Sequence, residues 1–246
     1  QINLMKDLII FIPVKEKSSR LKNKNLAKIG GISLLERKIK TCKKANIGKI
    51  VVSTNSKKIR SLSMKYGVDE VKSRPARYAT SKSTLISVIL DYLRNEIRNK
   101  KTLKKYIALL PLTNPFLKIQ TIKKSYKQIK YNKNLNSIVS VVESNSHPFL
   151  FVDLKKKIKF DIYKIKKKNY NSFNRSQDRP KAYVTSAAIR ITKTKYFIKY
   201  LNNKNPYFSE KPFDKKNSLP IKISIKESHD INTKFDLEVA KILNHF

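Results

Sequence analysis

Hydrophobic residues along this chain of 246 residues form two kinds of segment. Short runs rich in Ile, Val and Leu are typical of buried strands, whereas apolar residues three and four positions apart are typical of amphipathic helices. The two kinds alternate, which predicts an α/β fold around a mostly parallel sheet. The predicted strands cover 8–14, 49–53, 106–110, 137–142, 182–191 and 220–225, and the predicted helices cover 57–66, 83–98, 119–129, 234–243 and a segment that opens at Ser33.

Two of the predicted helices begin with a capping pattern. Ser33 is followed three residues later by Glu36, and Thr233 is followed three residues later by Asp236. In such a pair the hydroxyl accepts a hydrogen bond from the backbone amide of the acidic residue. We therefore expect Asp236 to act as a helix cap partner rather than as a ligand.

Cysteine and histidine offer little chemistry in this sequence. Cys42 is the only cysteine, so a disulfide within the chain and a thiolate metal cluster are both excluded. It lies on the apolar face of the first predicted helix, which favours a core position over a nucleophilic role. The three histidines lie far apart and lack the spacing of metal ligands.

The charge of the chain is strongly positive. Lys and Arg number 56 against 17 Asp and Glu, a formal net charge of +39. Such a surface attracts polyanions, and a nucleic-acid-binding protein is one interpretation. The lysines, however, are spread along the whole chain with few arginines and no repeat of basic and aromatic residues. Lys, Asn and Ile are abundant together, which favours a compositional origin in an AT-rich genome, so we do not expect a nucleic-acid partner.

One Lys-rich segment interrupts the alternation of strands and helices. Between residues 153 and 174 apolar residues alternate with charged ones, a pattern typical of an amphipathic ribbon or hairpin strand. Lysines in such a hairpin could protect an exposed sheet edge.

Elsewhere no apolar run approaches the roughly 20 residues that cross a bilayer, and no signal-peptide pattern is visible. We therefore expect a cytoplasmic protein without a membrane partner.

The first predicted strand runs directly into a basic loop. Five cationic side chains follow it within ten residues, and two amides, Asn23 and Asn25, end the loop. In an open α/β sheet, ligands bind outside the carboxyl ends of the strands. A cluster of cations there suits a polyanion such as a nucleoside triphosphate. The alternative is a solvated basic turn after a core strand, and this segment alone leaves both open. The cations are Lys15, Lys17, Arg20, Lys22 and Lys24.

The pattern Pro13-x-Lys15-x-x-Ser18-x-Arg20-x-x-x-Lys24-Asn25 resembles the nucleotide loop of the sugar-acid cytidylyltransferases. This is the family of the CMP-N-acetylneuraminate synthetases and their relatives. Further blocks that resemble the family follow in the same order at 51–55, 74–75, 110–115, 137–143, 147–148, 175–183 and 228–237. The resemblance implies a three-layer, Rossmann-like fold of the nucleotide-diphospho-sugar-transferase type. It also implies a single domain over 1–246 and a homodimer, with a dimerisation hairpin around 144–185.

The resemblance implies cytidylyl transfer from CTP to a 2-keto-3-deoxy sugar acid, with Mg²⁺ as cofactor. The expected products are a CMP-sugar and pyrophosphate, for a surface polysaccharide. A nine-carbon acid of the sialic type is our first expectation, and an eight-carbon keto-deoxy-octulosonate type is the second. Two other classes stay open: a weakened relative that binds a nucleotide without efficient turnover, and a basic nucleic-acid-binding protein.

Individual roles also come from the resemblance. Catalytic roles are implied for Lys15, Lys24 and Asp230. The implied nucleotide-binding residues are Lys15, Ser18, Arg20, Lys24, Asn25, Arg74 and Ser83. The implied sugar-binding residues are Asn114, Arg175, Gln177, Asp178 and Tyr183, and the implied Mg²⁺ ligands are Asp230 and Asn232. A helix N-cap is the alternative role of Ser83, and a structural turn is the alternative role of the block at 175–178.

The sequence departs from the family pattern at several of these blocks. Glu16 and Lys17 replace two loop glycines, which normally let the backbone approach phosphate closely. A carboxylate at position 16 would repel a triphosphate unless it points away. Pro111 replaces a glutamine expected to meet the sugar, and Asn232 replaces an aspartate, so it would bring no charge to a cation.

Overall fold

The computed structural model describes residues 7–18, 20–144, 146, 175, 180–208 and 217–245. The predicted ribbon at 153–174, and with it most of the predicted dimerisation hairpin, lies outside these residues. The strands are β1 Leu8–Val14, β2 Lys28–Ile29, β3 Ile32–Ser33, β4 Lys49–Thr54, β5 Glu70–Ser73, β6 Tyr106–Leu109, β7 Ser137–Glu143, β8 Tyr183–Lys193 and β9 Ser218–Lys222. The helices are α1 Leu34–Ala45, α2 Lys57–Lys65, α3 Leu85–Arg98, α4 Ile119–Tyr131, α5 Lys195–Ile198, α6 Ile225–Ser228 and α7 Lys234–Leu243.

Seven of the described strands form one sheet in the order β5-β4-β1-β6-β8-β7-β9. β1 pairs in parallel with β4 on one side and with β6 on the other, and β4 pairs in parallel with β5. β8 is antiparallel to both of its neighbours, β6 and β7, whereas β9 is again parallel to β7. The prediction of a mostly parallel sheet is therefore confirmed.

The central strand β1 is buried on both faces, which explains its unbroken apolar sequence. Successive side chains of a strand point to opposite faces. Ile10 and Ile12 accordingly pack with α1 and α4, whereas Ile9 and Phe11 pack with α3 on the other face. The result is the predicted arrangement of helices on both faces of a sheet. None of the described helices has the length and apolarity that a membrane span requires.

Several predicted boundaries shift by one or two residues, and two further differences are larger. The strand predicted over 220–225 ends at Lys222, and α6 begins at Ile225. The cause is a capping box, in which the Ser224 side chain accepts from the Glu227 amide and the Glu227 carboxylate accepts in return. The prediction also omitted β5, because its four residues Glu70–Ser73 carry too little apolar character to stand out.

Glu227 joins α6 to the start of α4. Its carboxylate is buried and accepts hydrogen bonds from the Thr121 hydroxyl at 2.5 Å and from the Lys118 amide at 3.2 Å. We expect Glu227→Gln to lower the free energy of unfolding by about 1–3 kcal/mol, because it removes a charged acceptor from buried donors. Chemical denaturation at neutral pH measures this loss. A matched control is Glu238→Gln on α7, an exposed residue paired with Lys241, which should change stability by less than about 1 kcal/mol.

The same residue predicts a pH dependence. Burial alone would raise the pKa of Glu227, but hydrogen bonds from Thr121, Lys118 and Ser224 lower it on balance from the ordinary value of 4.5. A carboxylate with a lowered pKa stabilises the fold above its unfolded value, and this contribution is lost as pH falls through the folded value. The stability difference between the wild-type protein and Glu227→Gln should therefore shrink below pH 4.5. A difference that grows on acidification would contradict this assignment.

Candidate functional site

The basic loop leaves β1 at the carboxyl edge of the parallel strands and is braced at both ends. Near its start, the Glu16 amide donates to Asn55 Oδ1 at 2.9 Å, just beyond β4. Near its end, Asn25 Nδ2 donates to the Lys15 carbonyl at 2.7 Å and closes the loop on itself. Asn23 lies in the left-handed region with φ of 55°, a conformation that asparagine tolerates better than most residues. The loop therefore has a defined shape that presents its cations.

Four cationic side chains of this edge form one electrostatic group, which we call the cation cluster: Lys15, Arg20, Lys24 and Arg74. Burial, with the charges of Arg74 and Arg20, lowers the pKa of Lys15. Burial also lowers the pKa of Lys24, with Asp230 opposing this effect and Arg20 and Lys15 adding to it. The cations that lower the pKa of Lys15 and Lys24 are thus held close to them despite the repulsion. The cluster is therefore suited to a ligand with several negative charges.

Arg74 follows β5 and is the most deeply buried member of the cluster. Its backbone amide donates to the Thr54 carbonyl at 2.9 Å, which ties it to the end of β4. Its side chain is 6% exposed, and Nε donates to the Tyr78 carbonyl at 2.6 Å. Burial lowers the pKa of Arg74 to about 10. This hydrogen bond orients the guanidinium while leaving further donors for a ligand.

A second segment, residues 228–233, meets the basic loop from a distant part of the sequence. Lys24 Nζ donates to the Ile231 carbonyl at 2.7 Å, and Arg20 Nη2 donates to Asn232 Oδ1 at 2.7 Å. Asn232 Nδ2 in turn donates to Asp230 Oδ2 at 2.7 Å. Arg20 and Lys24 are thus joined through Asn232 to Asp230, the acidic residue expected to bind a metal. Asp236 caps α7 with Thr233, as expected.

Asn114 supports the 228–233 segment from the protein core. It is fully buried, and its Nδ2 donates to the carbonyls of Ser228 and His229 at 3.0 and 3.1 Å. The neighbouring Thr113 carbonyl accepts from the Ile231 amide at 2.8 Å. The side chain therefore positions the backbone on either side of Asp230, and its expected contact with the sugar stays a prediction.

The two residues expected to bind Mg²⁺ differ in how well they fit that role. Asp230 Oδ1 is buried and has no hydrogen-bond partner among the described residues, so a carboxylate oxygen is available. Asn232 Oδ1 accepts from Arg20, with Lys24 at 3.5 Å, and so faces two cations. In this arrangement the amide oxygen already accepts from a cationic donor, and its expected role as a Mg²⁺ ligand stays a prediction. Within the described ranges no three His, Cys, Asp or Glu residues group as a metal site.

The other residues expected in the site differ in their contacts and in their exposure. Ser83 bonds the Thr80 hydroxyl at 2.7 Å and the Arg77 carbonyl at 3.1 Å, and the N-cap of α3 is Thr84 rather than Ser83. Glu16 lines a cavity of about 420 Å³ beside α2, together with Ser56 and Lys58. Further expected residues are the half-buried Ser18, the exposed Arg175, the partly exposed Tyr183 beside Lys222, and Gln177 and Asp178, which lie outside the described residues.

Sequence reasoning missed two residues that support the site. Asn55, which accepts from the Glu16 amide, stood only within a block of resemblance. Lys38, on the buried face of α1, donates to the Asn114 carbonyl at 2.8 Å. A signal for Lys38 was present, because it is a charged residue four positions from Leu34 and four from Cys42 on an apolar helix face.

Comparisons with known proteins found a family model, curated relatives and solved structures that are similar to this chain. A family model described as cytidylyltransferase matches residues 9–238. The post-translational flagellin modification protein B of Campylobacter coli is 24% identical over 97% of this chain and 95% of its own length. The CMP-N,N'-diacetyllegionaminic acid synthase of Campylobacter jejuni is 25% identical over the same shares. A solved CMP:2-keto-3-deoxy-manno-octonic acid synthetase complexed with CTP has a TM-score of 0.67 at 12% identity, and covers 97% of this chain and 98% of its own.

Proposed function

We propose that this chain, which belongs to the cytidylyltransferase family, transfers the cytidylyl group of CTP to a 2-keto-3-deoxy sugar acid. The observation that carries this proposal is the cation cluster at the carboxyl edge of the sheet, joined through Asn232 to Asp230. A nucleoside triphosphate is the polyanion that such an edge suits. Family membership makes the chain a nucleotidyltransferase, and the sugar acid is our own step beyond that.

The reaction needs positioning and charge compensation rather than a nucleophilic side chain. The anomeric hydroxyl of the sugar acid attacks the α-phosphorus of CTP, the bond to the bridging oxygen breaks, and pyrophosphate leaves as the hydroxyl proton is released. Lys15, Lys24 and Arg74 would offset the charge that gathers on the phosphate oxygens. Arg20 would hold Asn232 in place, and the brace from Asn25 to Lys15 would keep the loop shaped for the triphosphate.

We propose Mg²⁺ as the cofactor, held by Asp230 together with phosphate oxygens of the nucleotide. The support is the buried Oδ1 of Asp230, which lacks a partner among the described residues. Mg²⁺ is commonly bound through one or two carboxylates plus substrate phosphates, so one aspartate suffices. Bound there, the cation would neutralise part of the triphosphate charge. Asn232 is left out of this ligand set because its oxygen already accepts from Arg20.

For the acceptor we place nine-carbon acids of the sialic type first. A full-length relative carries a name that specifies a CMP-legionaminic acid derivative, and its identity of 25% extends over 97% of this chain. Eight-carbon keto-deoxy-octulosonate acids are the second candidate. The departure at Pro111 means that contacts to the acceptor differ from those the family pattern implies.

Pyrophosphate release tests the proposal directly. Purified protein is mixed with Mg²⁺, one nucleotide and one sugar acid, with CTP against ATP, GTP and UTP. The acids are N-acetylneuraminate, legionaminate, pseudaminate and keto-deoxy-octulosonate. We expect pyrophosphate release that requires both CTP and one nine-carbon acid. Mass spectrometry should then detect the corresponding CMP-sugar. Release with the eight-carbon acid alone would move the assignment to the second candidate.

Two other outcomes would point to different functions. CTP binding by calorimetry without turnover on any acid would favour a weakened relative, in which Glu16, Pro111 and Asn232 are the altered positions. Tight, salt-sensitive binding to DNA of any sequence, unaffected by CTP, would favour a nucleic-acid-binding protein. We also propose a homodimer, on the resemblance alone. Sedimentation equilibrium at micromolar concentration measures it, and a single species of monomer mass would refute it.

A further inference from the structure

A lysine lies inside the hydrophobic core on the inner face of α1. Lys38 is 2% exposed, and its neighbours on that face include Leu34, Leu35 and Cys42, all buried. Burial lowers the pKa of Lys38 to about 8 and raises the pKa of the Cys42 thiol to about 12, so the thiol is neutral. Burying an ammonium group is costly unless it is hydrogen-bonded. A position of this kind therefore calls for a compensating contact.

That contact is made with the segment that supports the candidate site. Lys38 Nζ donates to the Asn114 carbonyl at 2.8 Å. The Asn114 side chain donates to the carbonyls of Ser228 and His229, and the Thr113 carbonyl accepts from the Ile231 amide. A continuous series of hydrogen bonds thus runs from α1 through residues 113–114 to the backbone on both sides of position 230.

We propose that Lys38 is a positioning residue that holds the backbone of residues 113–114 and, through it, the segment that carries Asp230. The inference rests on the proposed function, since it gives Asp230 its role. Lys38 itself bonds a backbone carbonyl in the core and touches no part of the cation cluster in its described contacts. An apolar side chain of similar length would fill the same space at lower desolvation cost. The hydrogen bond to Asn114 is what the lysine adds.

Amide hydrogen exchange in the ligand-free protein tests the proposal without requiring activity. We compare the wild-type protein with Lys38→Met, which has a similar length but no donor. The Ile231 amide and its neighbours in 228–233 should exchange about tenfold faster or more, because they lose the support of residues 113–114. Amides of α3, on the other face of the sheet, should be unchanged. Equal acceleration in both places, or none at 228–233, would overturn the proposal.

Kinetics provide the second measurement. A displaced Asp230 should slow the chemical step, so we expect kcat of Lys38→Met to fall about tenfold to a hundredfold while KM for CTP changes by less than about threefold. Lys38→Gln retains a donor one bond shorter and should give intermediate values. The matched control is Lys44→Met on the exposed face of the same helix, which should alter neither exchange nor kcat. A Lys38→Met protein with the kcat of the control would count against the positioning role.

A second variant covers the case in which Lys38→Met does not fold. Asn114→Leu keeps the backbone carbonyl that Lys38 bonds but removes the donor to Ser228 and His229. It should produce the same local increase in exchange at 228–233. If the wild-type protein shows no cytidylyl transfer, the exchange result still decides whether Lys38 supports this segment. Failure of the proposed activity and failure of the positioning role are therefore distinguishable. Normal protection of 228–233 in Asn114→Leu would refute the proposed series of hydrogen bonds.

Discussion

Asp230→Asn should lower kcat/KM for CMP-sugar formation by about 10³-fold while the protein stays folded. The substitution removes the charge of the carboxylate but keeps an oxygen that can accept from Asn232 Nδ2, which bonds Asp230 Oδ2 at 2.7 Å in the wild-type protein. The loss should therefore reflect the missing negative ligand rather than a disordered segment. Pyrophosphate release over a range of CTP concentrations measures kcat/KM, and thermal denaturation reports on the fold.

The matched control for this variant lies six residues away, in the first turn of α7. Asp236→Asn alters a carboxylate that caps α7, where Asp236 Oδ2 accepts from the amides of Asn232 and Thr233. We expect it to cost about 1 kcal/mol of stability and to leave most of the turnover. Raising the Mg²⁺ concentration should partly restore Asp230→Asn but not change Asp236→Asn. If the two variants lose turnover equally, Asp230 has no special role.

Lys24→Met should have the second largest effect, a loss of about 10² to 10³-fold in kcat/KM. Among the described hydrogen bonds, Lys24 is the member of the cation cluster that contacts the backbone of the second segment, at the Ile231 carbonyl. Burial lowers its pKa, and neighbouring cations add to this effect. Removing its ammonium takes a positive charge from the proposed triphosphate site and releases the contact between the two segments. Both KM for CTP and kcat should change. Steady-state kinetics over a range of CTP concentrations separate the two.

Lys22→Met is the control that isolates position from charge. Lys22 lies two residues earlier in the same loop, is exposed, and lines the cavity beside α2. Its removal lowers the net charge by the same amount, so we expect less than about a threefold change in kcat/KM. Lys24→Arg should fall between Lys24→Met and the wild-type protein, since it restores charge without the compact shape of an ammonium. Equal losses in Lys22→Met and Lys24→Met would mean that only the overall field matters.

Local sequence signals predicted the regular elements where a single physical pattern dominated. β1 at Leu8–Val14 and α7 at Lys234–Leu243 have the predicted bounds, because an unbroken apolar run marked the first and a capping pair marked the second. The signals failed where patterns were short or mixed. Glu70–Ser73 forms a strand through pairing with β4, and the predicted strand at 220–225 is shortened because the capping box of α6 competes for its last residues.

The candidate site likewise has features that the sequence predicted and features that it did not. The order of the sequence blocks was sufficient to identify the family, and the basic loop after β1 was visible as five cations behind an apolar strand. Which atoms meet was not visible. Arg20 and Asn232 are 212 positions apart, yet their side chains lie 2.7 Å from each other. The resemblance also suggested Asn114 for the sugar and Asn232 for the metal. The structure adds that Asn114 is fully buried and that Arg20 and Lys24 face Asn232 Oδ1.

The amino-acid sequence by itself determined the α/β alternation, the buried central strand, the helix caps and the family, because these depend on residue type and on neighbours within a few positions. Only the tertiary structure decided how closely Lys15, Arg20, Lys24 and Arg74 approach one another and that Asp230 Oδ1 has no hydrogen-bond partner among the described residues. It also placed the buried Lys38 ammonium against the Asn114 carbonyl. These properties depend on distances and desolvation between remote residues, which no local pattern encodes.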